Sequence, residues 1–251
     1  MSKISDKIKV GIVEAYTMAR HPESIALKRK GIKYEHYRDL NKAWLKNFGL
    51  NTVLDVGANV GDFAKLAREV FPSAAIYSFE PLPDCFAVLR AALPGDENFF
   101  PIESGIGREK ATLDFYRSYH SPSSSFLRME EFHKEAFPYT SEGQAPEPLK
   151  IDVQTLDGAL EDRDLKSNIL LKIDVQGFEI EAIAGASDTL ARSKVVIIEM
   201  SFANLYEGQP LFHDVYQAMY GHGYRFRGSL AQMFHPETGE IVQTDAIFVK
   251  E

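Results

Sequence analysis

The stretch Leu54-Asp55-Val56-Gly57-Ala58-Asn59-Val60-Gly61-Asp62-Phe63 decides the fold of this chain. Its apolar beginning predicts a short buried strand over residues 53–56, and its end predicts a helix through about Val70. Glycines lie in the turn between them, where a doubly wound α/β fold holds a nucleotide. The stretch therefore predicts both the fold class and the place of a nucleotide site.

Strand and helix patterns alternate along most of the remaining chain. Predicted strands lie at residues 75–79, 99–102, 111–116, 151–153, 169–173, 195–198, 224–226 and 246–249, and predicted helices at 81–93, 156–160, 179–183 and 211–220. The last two strands form a hairpin around the turn Pro236-Glu237-Thr238-Gly239. Strands that alternate with helices of this length predict right-handed βαβ units and a parallel, Rossmann-like α/β sheet.

Two regions depart from this alternation. Residues 1–48 are predicted to form an N-terminal helical arm before a domain of residues 49–251, with a second arm helix from about Pro22 to Asn47. We expect the arm to pack against the domain; capping a pocket and forming a homo-oligomer are the alternatives. Residues 118–148 are rich in serine and proline, and irregular stretches of this length are usually functional or disordered. We expect a lid here, with a flexible linker as the alternative.

Composition excludes several classes of protein. The chain has 251 residues, with 28 basic against 36 acidic side chains and a net charge of −8. A nucleic-acid partner is not expected, because phosphate binding requires a basic surface. Cys85 is the only cysteine, so no intrachain disulfide can form and a reducing, cytoplasmic location fits best. No stretch approaches the roughly 18 apolar residues that a membrane span requires, and charged residues interrupt any signal peptide at the N-terminus.

The turn after the first strand discriminates between cofactors. A dinucleotide site requires a glycine where this chain has Asn59, and the carboxylate of Asp55 at the strand end would repel a pyrophosphate. S-adenosylmethionine carries a sulfonium and an ammonium instead, which carboxylates stabilise. Glu80 ends the second strand, where an acidic residue binds the two ribose hydroxyls, although NAD sites use the same contact. The predicted cofactor-binding residues are Asp55, Gly57, Ala58, Asn59, Val60, Gly61, Glu80, Ser104 and Asp174.

Five segments of the chain resemble the family of FkbM-type S-adenosylmethionine-dependent methyltransferases. They are residues 53–61, Phe79-Glu80-Pro81, Leu171-Lys172-Ile173-Asp174-Val175-Gln176-Gly177-Phe178-Glu179, residues 196–199 and residues 244–249. The resemblance covers roughly residues 50–250 and leaves out the arm. It implies a class I methyltransferase fold, a seven-stranded sheet whose last strand is antiparallel, and methyl transfer, usually to oxygen, on sugars, glycolipids or natural products. Many members of that family carry Glu where this chain has Gln176.

Methyl transfer to a hydroxyl requires a general base at the carboxyl edge of the sheet. Asp174, at the end of its strand, is the first candidate, and Lys172 lies on the same face of that strand. Lys172 could hold Asp174 ionised, bind the acceptor oxygen, or only neutralise buried carboxylates. Glu199 ends the next strand and completes the predicted catalytic set. No spacing demands a metal, although Asp174, Glu199 and Glu179 together could bind magnesium.

Predicted contacts with the acceptor lie mostly in the serine- and proline-rich stretch. They are His120, which is also an alternative base, Ser124, Ser125 and Glu179. The leading interpretation is an O-methyltransferase that acts on a glycan or a small polyhydroxylated metabolite. The alternatives are an NAD-dependent sugar dehydrogenase or epimerase, and a methyltransferase-like protein without catalytic activity that binds a partner through its arm.

Overall fold

The computed structural model describes residues 16–141 and 147–251. Its strands are β1 (Thr52–Val56), β2 (Ala75–Glu80), β3 (Phe99–Glu103), β4 (Gly105–Ile106), β5 (Ala111–Phe115), β6 (Leu149–Gln154), β7 (Ile169–Ile173), β8 (Ser193–Ser201), β9 (Tyr224–Phe234) and β10 (Ile241–Lys250). Its helices are α1 (Glu23–Arg29), α2 (Tyr34–Leu40), α3 (Ala43–Lys46), α4 (Asp62–Val70), α5 (Pro83–Leu89), α6 (Glu131–Ala136), α7 (Leu156–Leu160), α8 (Glu179–Ala184), α9 (Ser187–Arg192) and α10 (Phe212–Gly221). Residues 16–20 are also helical, and Ser121–Ser123 and Pro138–Thr140 form 3₁₀ turns.

A seven-stranded sheet in the order β3-β2-β1-β7-β8-β10-β9 forms the centre of the molecule. Strand β10 runs antiparallel to both of its neighbours, while the pairs from β3 to β8 are parallel. Every residue of β1, β2 and β7 is buried, as their nearly continuous apolar sequences require of strands covered by helices on both faces. The predicted fold class, including the antiparallel final strand, is confirmed.

The register of β1 brings together the chain segments that leave the sheet at one edge. Asp55 lies opposite Ser78 of β2 on one side and opposite Lys172 of β7 on the other. Because the three strands are parallel and in step, their following residues all emerge at the same edge. This edge therefore carries the glycine turn after β1, Glu80 and Asp174.

A separate three-stranded sheet, in the order β4-β6-β5, accounts for two of the predicted strands. We expected the strand near residues 151–153 to continue the main alternation, and this was wrong. Strands β5 and β6 each contain exposed and partly exposed residues, unlike the fully buried strands β1, β2 and β7 of the main sheet, so they suit a small sheet with one face in water rather than the middle of a parallel sheet. Strand β4 was not predicted, because two residues are too short to show a pattern.

The described part of the arm packs against one face of the main sheet through Leu27, Leu40 and Leu45, which are buried in the same cluster as Val53 of β1 and Leu170 of β7. The single helix predicted from Pro22 to Asn47 is wrong: the segment forms α1, α2 and α3. Gly31, with a φ of +74°, follows α1 in a left-handed conformation that interrupts the helix. The first predicted arm helix lies largely within residues 1–15, outside the described residues.

The helix predicted over residues 81–93 is shorter than expected. It is α5, which begins at Pro83 rather than near Pro81, since a proline suits the first turn of a helix. In the described ranges, 16–141 and 147–251, no helix has both the length and the apolar character that crossing a membrane requires.

We predict that Gly185→Ala destabilises the fold where α8 meets the small sheet. A Cβ atom on Gly185 would lie 2.0 Å from the carbonyl oxygen of Gly107, so one of the two backbone segments would have to move. Overpacking of this kind costs roughly 1–3 kcal/mol of the free energy of unfolding, measurable by urea denaturation. Gly221→Ala is the matched control, because a Cβ there meets nothing within 4 Å. Equal stability of the two variants would contradict the described contact.

Candidate functional site

Two cavities open at the edge of the main sheet where β1, β2 and β7 end. The first, of about 260 Å³, we call the insert cavity, because residues of the 118–148 segment (the insert) form one wall of it opposite Glu80 and Ser104. The second, of about 370 Å³, we call the arm cavity, because Lys33 and His36 of the arm line it. Four residues line both cavities and mark the place where they adjoin: Gly57, Asn59, Pro122 and Asp174.

The turn after β1 separates the two cavities and has little freedom to change. Gly57 has a φ of +85°, and a Cβ on it would lie 1.8 Å from the carbonyl oxygen of Asp174. Only glycine allows the turn after β1 to approach the end of β7 this closely. Asn59 also has a left-handed conformation, and its side-chain oxygen accepts hydrogen bonds from the N–H of Val60 and the hydroxyl of Ser121. The turn is thereby attached to the insert.

Glu80 links the turn after β1 to the turn after β2, and it lines the insert cavity. Its carboxylate accepts hydrogen bonds from the N–H of Asn59 and the N–H of Leu82, each at 2.8 Å. The side chain is 4% exposed, and burial raises the pKa of Glu80 to about 7. Since each carboxylate oxygen uses one of its lone pairs in these bonds, both oxygens can still accept a bond from a ligand hydroxyl.

A buried ammonium group, that of Lys172, lies among carboxylates on the face of the sheet below the arm cavity. Its Nζ lies 2.9 Å from Asp174 and 3.9 Å from Asp55. Burial by itself lowers the pKa of Lys172, but the charges of Asp174, Asp55 and Asp245 together raise it above its ordinary value. Asp55 is fully buried beside the hydroxyl of Ser78, and burial raises the pKa of Asp55 to about 6.

Gln176 bridges two carboxylates at the edge. Its Nε2 donates hydrogen bonds to Asp174, at 2.8 Å, and to Glu199, at 2.7 Å. Its Oε1 accepts a hydrogen bond from the hydroxyl of Tyr206 at 2.9 Å, which fixes the orientation of the amide. The backbone of Gln176 has a left-handed φ of +53°, and its carbonyl oxygen accepts a hydrogen bond from Ser125.

The environments of the two bridged carboxylates differ. Asp174 is neutralised by the ammonium of Lys172, whereas Glu199 has no cation in contact with it in the described part of the chain. Burial, together with the negative charges of Asp174, Glu179 and Asp245, raises the pKa of Glu199 well above its ordinary value. Paired carboxyl groups with different environments can take different protonation states, so one can accept a proton that the other cannot.

The described part of the insert is ordered by its own hydrogen bonds and covers the site. His120 lines the insert cavity, and its Nδ1 lies 3.0 Å from the hydroxyl oxygen of Ser123. Ser124 also lines it, with its hydroxyl oxygen accepting a bond from the N–H of Ser118. The hydroxyl of Tyr206 lies 3.1 Å from the carbonyl oxygen of Ser123, which attaches the insert to the bridged carboxylates. Residues 142–146 of the expected lid lie outside the described residues.

The structure brings most of the predicted residues to the cavities but places four of them elsewhere. Asp55 is fully buried in β1, and Gly61 packs against α5, where a Cβ would lie 2.9 Å from Leu89. The hydroxyl of Ser125 is occupied by Gln176. Glu179 is 3% exposed and accepts hydrogen bonds from the N–H groups of Val175 and Gly177. Ala58 and Val60 line the arm cavity, and Ser104 lines the insert cavity.

Four residues of the site were not among the predicted site residues: Gln176, Tyr206, His133 and Asp245. His133 lines the insert cavity beside Tyr206, and burial lowers the pKa of His133 to about 4. Asp245 lines the arm cavity from the middle of β10, where it is followed by the apolar run of residues 246–249. Within the described ranges, no cluster of three or more His, Cys, Asp or Glu side chains is arranged to hold a metal ion.

Comparison with known proteins places these motifs in a family. The family model described as the Methyltransferase FkbM domain matches residues 55–226. The 2-O-methyltransferase NoeI of Sinorhizobium fredii (strain NBRC 101917 / NGR234) is 30% identical over 169 residues, which cover 62% of this chain and 66% of that protein. The 31-O-demethyl-FK506 methyltransferase FkbM of Streptomyces tacrolimicus is 28% identical over 204 residues, which cover 69% and 72%. The chain thus spans just under two thirds of the length of the first relative.

Among solved structures, magnesium protoporphyrin IX methyltransferase (ChlM) from Synechocystis PCC 6803 aligns over 91% of this chain and 83% of its own, with 14% identity and a TM-score of 0.42. The resemblance noted from the sequence motifs is confirmed by the match to the family model.

We predict that Glu179 makes the protein less stable as the pH rises. Burial raises the pKa of Glu179 from 4.5 to about 7, so the folded state binds its proton more tightly than the unfolded state. Its contribution to the free energy of unfolding is therefore fully present below pH 4.5 and is lost as the pH rises to about 7. Glu179→Gln should reduce this loss by roughly 2–3 kcal/mol, measured by urea denaturation between pH 4.5 and 7.5. Identical pH profiles for the two proteins would contradict the prediction.

Proposed function

The chain belongs to the FkbM methyltransferase family, and we propose that it transfers a methyl group from S-adenosylmethionine to a hydroxyl oxygen of a sugar, glycolipid or small polyhydroxylated metabolite. The family match and the relatives that are named as O-methyltransferases support the reaction. The partner that the proposal requires is the acceptor molecule; it requires neither a nucleic acid nor a second copy of the chain. A cytoplasmic location is part of the proposal and agrees with a single, buried cysteine.

The charge of the insert cavity is the observation that carries the proposal. Its described lining contains the carboxylates of Glu80, Asp174 and Glu199 and no lysine or arginine. A pyrophosphate would be repelled there, which counts against an NAD-dependent enzyme. A nucleoside attached to a sulfonium fits, because Glu80 offers acceptors for the ribose hydroxyls and the carboxylates stabilise a positive charge.

S-adenosylmethionine, when bound, supplies an electrophilic methyl group. The role we assign to Asp174 is general base, which accepts the proton of the acceptor hydroxyl as oxygen attacks. Lys172 and Gln176 contact its two oxygens at 2.9 and 2.8 Å, so the carboxylate is held in one orientation. Positioning of this kind contributes much of the rate of a displacement that requires collinear reacting atoms. Glu199, held by the same amide, is the second carboxylate at the place of reaction.

The insert completes the site by covering the cavity. Its residues His120, Ser124 and Tyr139 line the cavity opposite Glu80, and they are our candidates for contacts with the acceptor. Hydroxyl and imidazole groups suit a polyol, and an aromatic ring suits the apolar face of a sugar. Covering the site also excludes water, which would otherwise compete with the acceptor for Asp174.

Cofactor binding is the first test of this function. We expect the wild-type chain to bind S-adenosylhomocysteine and not NAD in calorimetric titrations. Glu80→Gln should weaken S-adenosylhomocysteine by roughly 1–3 kcal/mol, because it removes a charged acceptor for the ribose. Glu103→Gln is the matched control: Glu103 lies opposite Glu80 at the end of β3 but is exposed and does not line the insert cavity. Binding of NAD, or equal losses in both variants, would refute the assignment.

Turnover tests the role of Asp174. Asp174→Asn should lower kcat about 10²–10⁴-fold, the usual range for loss of a general base, while the affinity for S-adenosylhomocysteine changes little. The acceptor for this assay is the compound that gains one methyl group in a panel of sugars and glycolipids incubated with labelled cofactor. Lys172→Met should also lower kcat, since Asp174 loses its cation. Asp164→Asn, at an exposed position, is the control. Near-normal kcat in Asp174→Asn would assign the base to Glu199 or His120 instead.

A further inference from the structure

The insert cavity has a second end that lies away from the turn after β1. Met233 of β9 and Gln243 of β10 line it there. Gln243 lies opposite both Met233 and Ser201, the last residue of β8, so the hairpin of β9 and β10 reaches the same edge as the other strands. In the order of the sheet, β10 lies three strands from β1, or roughly 15 Å. The cavity therefore continues along the edge to the hairpin.

This far end is uncharged and rich in rings. The insert contributes His133, Phe137, Tyr139 and Thr140 to its lining. Burial lowers the pKa of His133 to about 4, so its ring is neutral at pH 7. Rings and uncharged polar groups suit an uncharged ligand that has both apolar faces and hydroxyl groups.

Contacts between rings continue from the far end to the surface of the protein. The ring centroid of Phe137 lies 6.4 Å from that of Tyr139 and 6.5 Å from that of His235, which lies 5.7 Å from that of Phe132 in α6. Phe137 is buried, whereas Phe132 is 38% and Tyr139 53% exposed. We call Phe132, Tyr139 and His235 the outer rings. Because Tyr139 also lines the cavity, the outer rings form a surface that is continuous with it.

The outer rings carry two polar groups that a ligand can use. Nδ1 of His235 accepts hydrogen bonds from the N–H groups of Glu237 and Thr238, each at 3.2 Å, so in the neutral ring the proton is on Nε2. Within residues 16–141 and 147–251, neither this N–H nor the hydroxyl of Tyr139 forms a hydrogen bond. A sugar unit offers hydroxyls for these groups and an apolar face for the rings.

The charges next to the outer rings favour a neutral ligand. Helix α6 carries Glu131, Lys134 and Glu135, and the turn of the hairpin carries Glu237 and Glu240. Lys134 lies 3.3 Å from Glu131, so the charge of this one cation is already paired. The remaining acidic groups would repel an anionic membrane surface, whereas a neutral sugar is not repelled.

We propose that the outer rings bind a second sugar unit of the acceptor, so that the chain methylates an oligosaccharide or a larger glycoside in preference to a free monosaccharide. The inference rests on the proposed function and specifies its acceptor. The insert cavity, of about 260 Å³, also receives part of the cofactor, and it is small beside the roughly 300–1,000 Å³ of typical ligand sites. It has room for the sugar unit that reacts at Asp174, and a further unit has to lie outside it, where the outer rings are.

Acceptors that differ only in length provide the first test. Each sugar of the panel is supplied as a monosaccharide, a disaccharide and a trisaccharide, and methyl transfer by the full chain is measured with labelled cofactor. We expect a disaccharide or trisaccharide whose KM is roughly three- to tenfold below that of its own monosaccharide, at similar kcat. Equal KM values at all lengths, transfer to monosaccharides alone, or transfer to none of these sugars would overturn the inference.

Substitutions of Phe132 then locate the second unit. Phe132→Ala should raise the KM of the preferred longer acceptor roughly three- to tenfold, because a ring is lost, and should leave kcat, the KM of the monosaccharide and the affinity for S-adenosylhomocysteine unchanged. Phe132→Tyr, which keeps the ring, should retain the wild-type KM. Phe234→Ala is the matched control: Phe234 is 50% exposed, but it follows Met233 in β9 and therefore points to the opposite face of that strand.

The contrary outcomes separate the alternatives. Equal increases of KM for the monosaccharide and the longer acceptor in Phe132→Ala would show that this ring supports only the cavity, and would overturn the inference. An increase seen only when a glycolipid is presented in vesicles would assign the outer rings to a lipid surface, and would also overturn it. Failure of the wild-type chain to bind S-adenosylhomocysteine refutes the proposed function itself, whereas normal binding without a preference for length refutes this inference alone.

Discussion

The buried ammonium of Lys172 is the interaction on which the rest of the site depends. The structure collects the carboxylates of Asp55, Asp174 and Asp245 around it, and Asp55 Oδ1 has no hydrogen-bond partner among the described residues. Carboxylates removed from water are costly unless a charge of opposite sign accompanies them. One central cation lets the fold keep several acidic groups at the edge of an apolar sheet. The strand register, which sets Lys172 beside Asp55, is thus as important to the chemistry as any surface residue.

Much of the sheet and the positions of the main carboxylates could be predicted from the sequence. Both follow from residue patterns that repeat over only a few positions. A strand has a period of two, so Lys172 and Asp174 share a face, and parallel strands end at one edge, so Glu80 and Asp174 meet there. Longer-range features could not be predicted in this way. The bridging amide of Gln176 depends on a left-handed backbone angle, and the hydroxyl that orients it comes from Tyr206, thirty residues further along the chain. The break of the arm into short helices was also missed, although Gly31, with its left-handed φ of +74°, marks the end of the first of them.

The two glycines of the turn after β1, Gly57 and Gly61, have different structural roles. Gly57 is required because the carbonyl of Asp174 occupies the space of a side chain, and this contact fixes the spacing between the turn and the end of β7. Gly61, which the sequence suggested as a place for ligand approach, allows α5 to approach instead. The first glycine of the motif therefore shapes the edge of the cavity, whereas the second allows the helices to pack closely.

The hydroxyl of Tyr206 has one proton and two oxygen atoms within reach, Oε1 of Gln176 at 2.9 Å and the carbonyl oxygen of Ser123 at 3.1 Å. The two acceptors compete, so the insert and the carboxylate bridge share a single donor. Withdrawal of Ser123 would leave Tyr206 donating fully to Gln176, and no donor would be left without a partner. Separation of Ser123 from this hydroxyl would therefore leave no donor without an acceptor at this point. The amide of Gln176 would keep its orientation between Asp174 and Glu199.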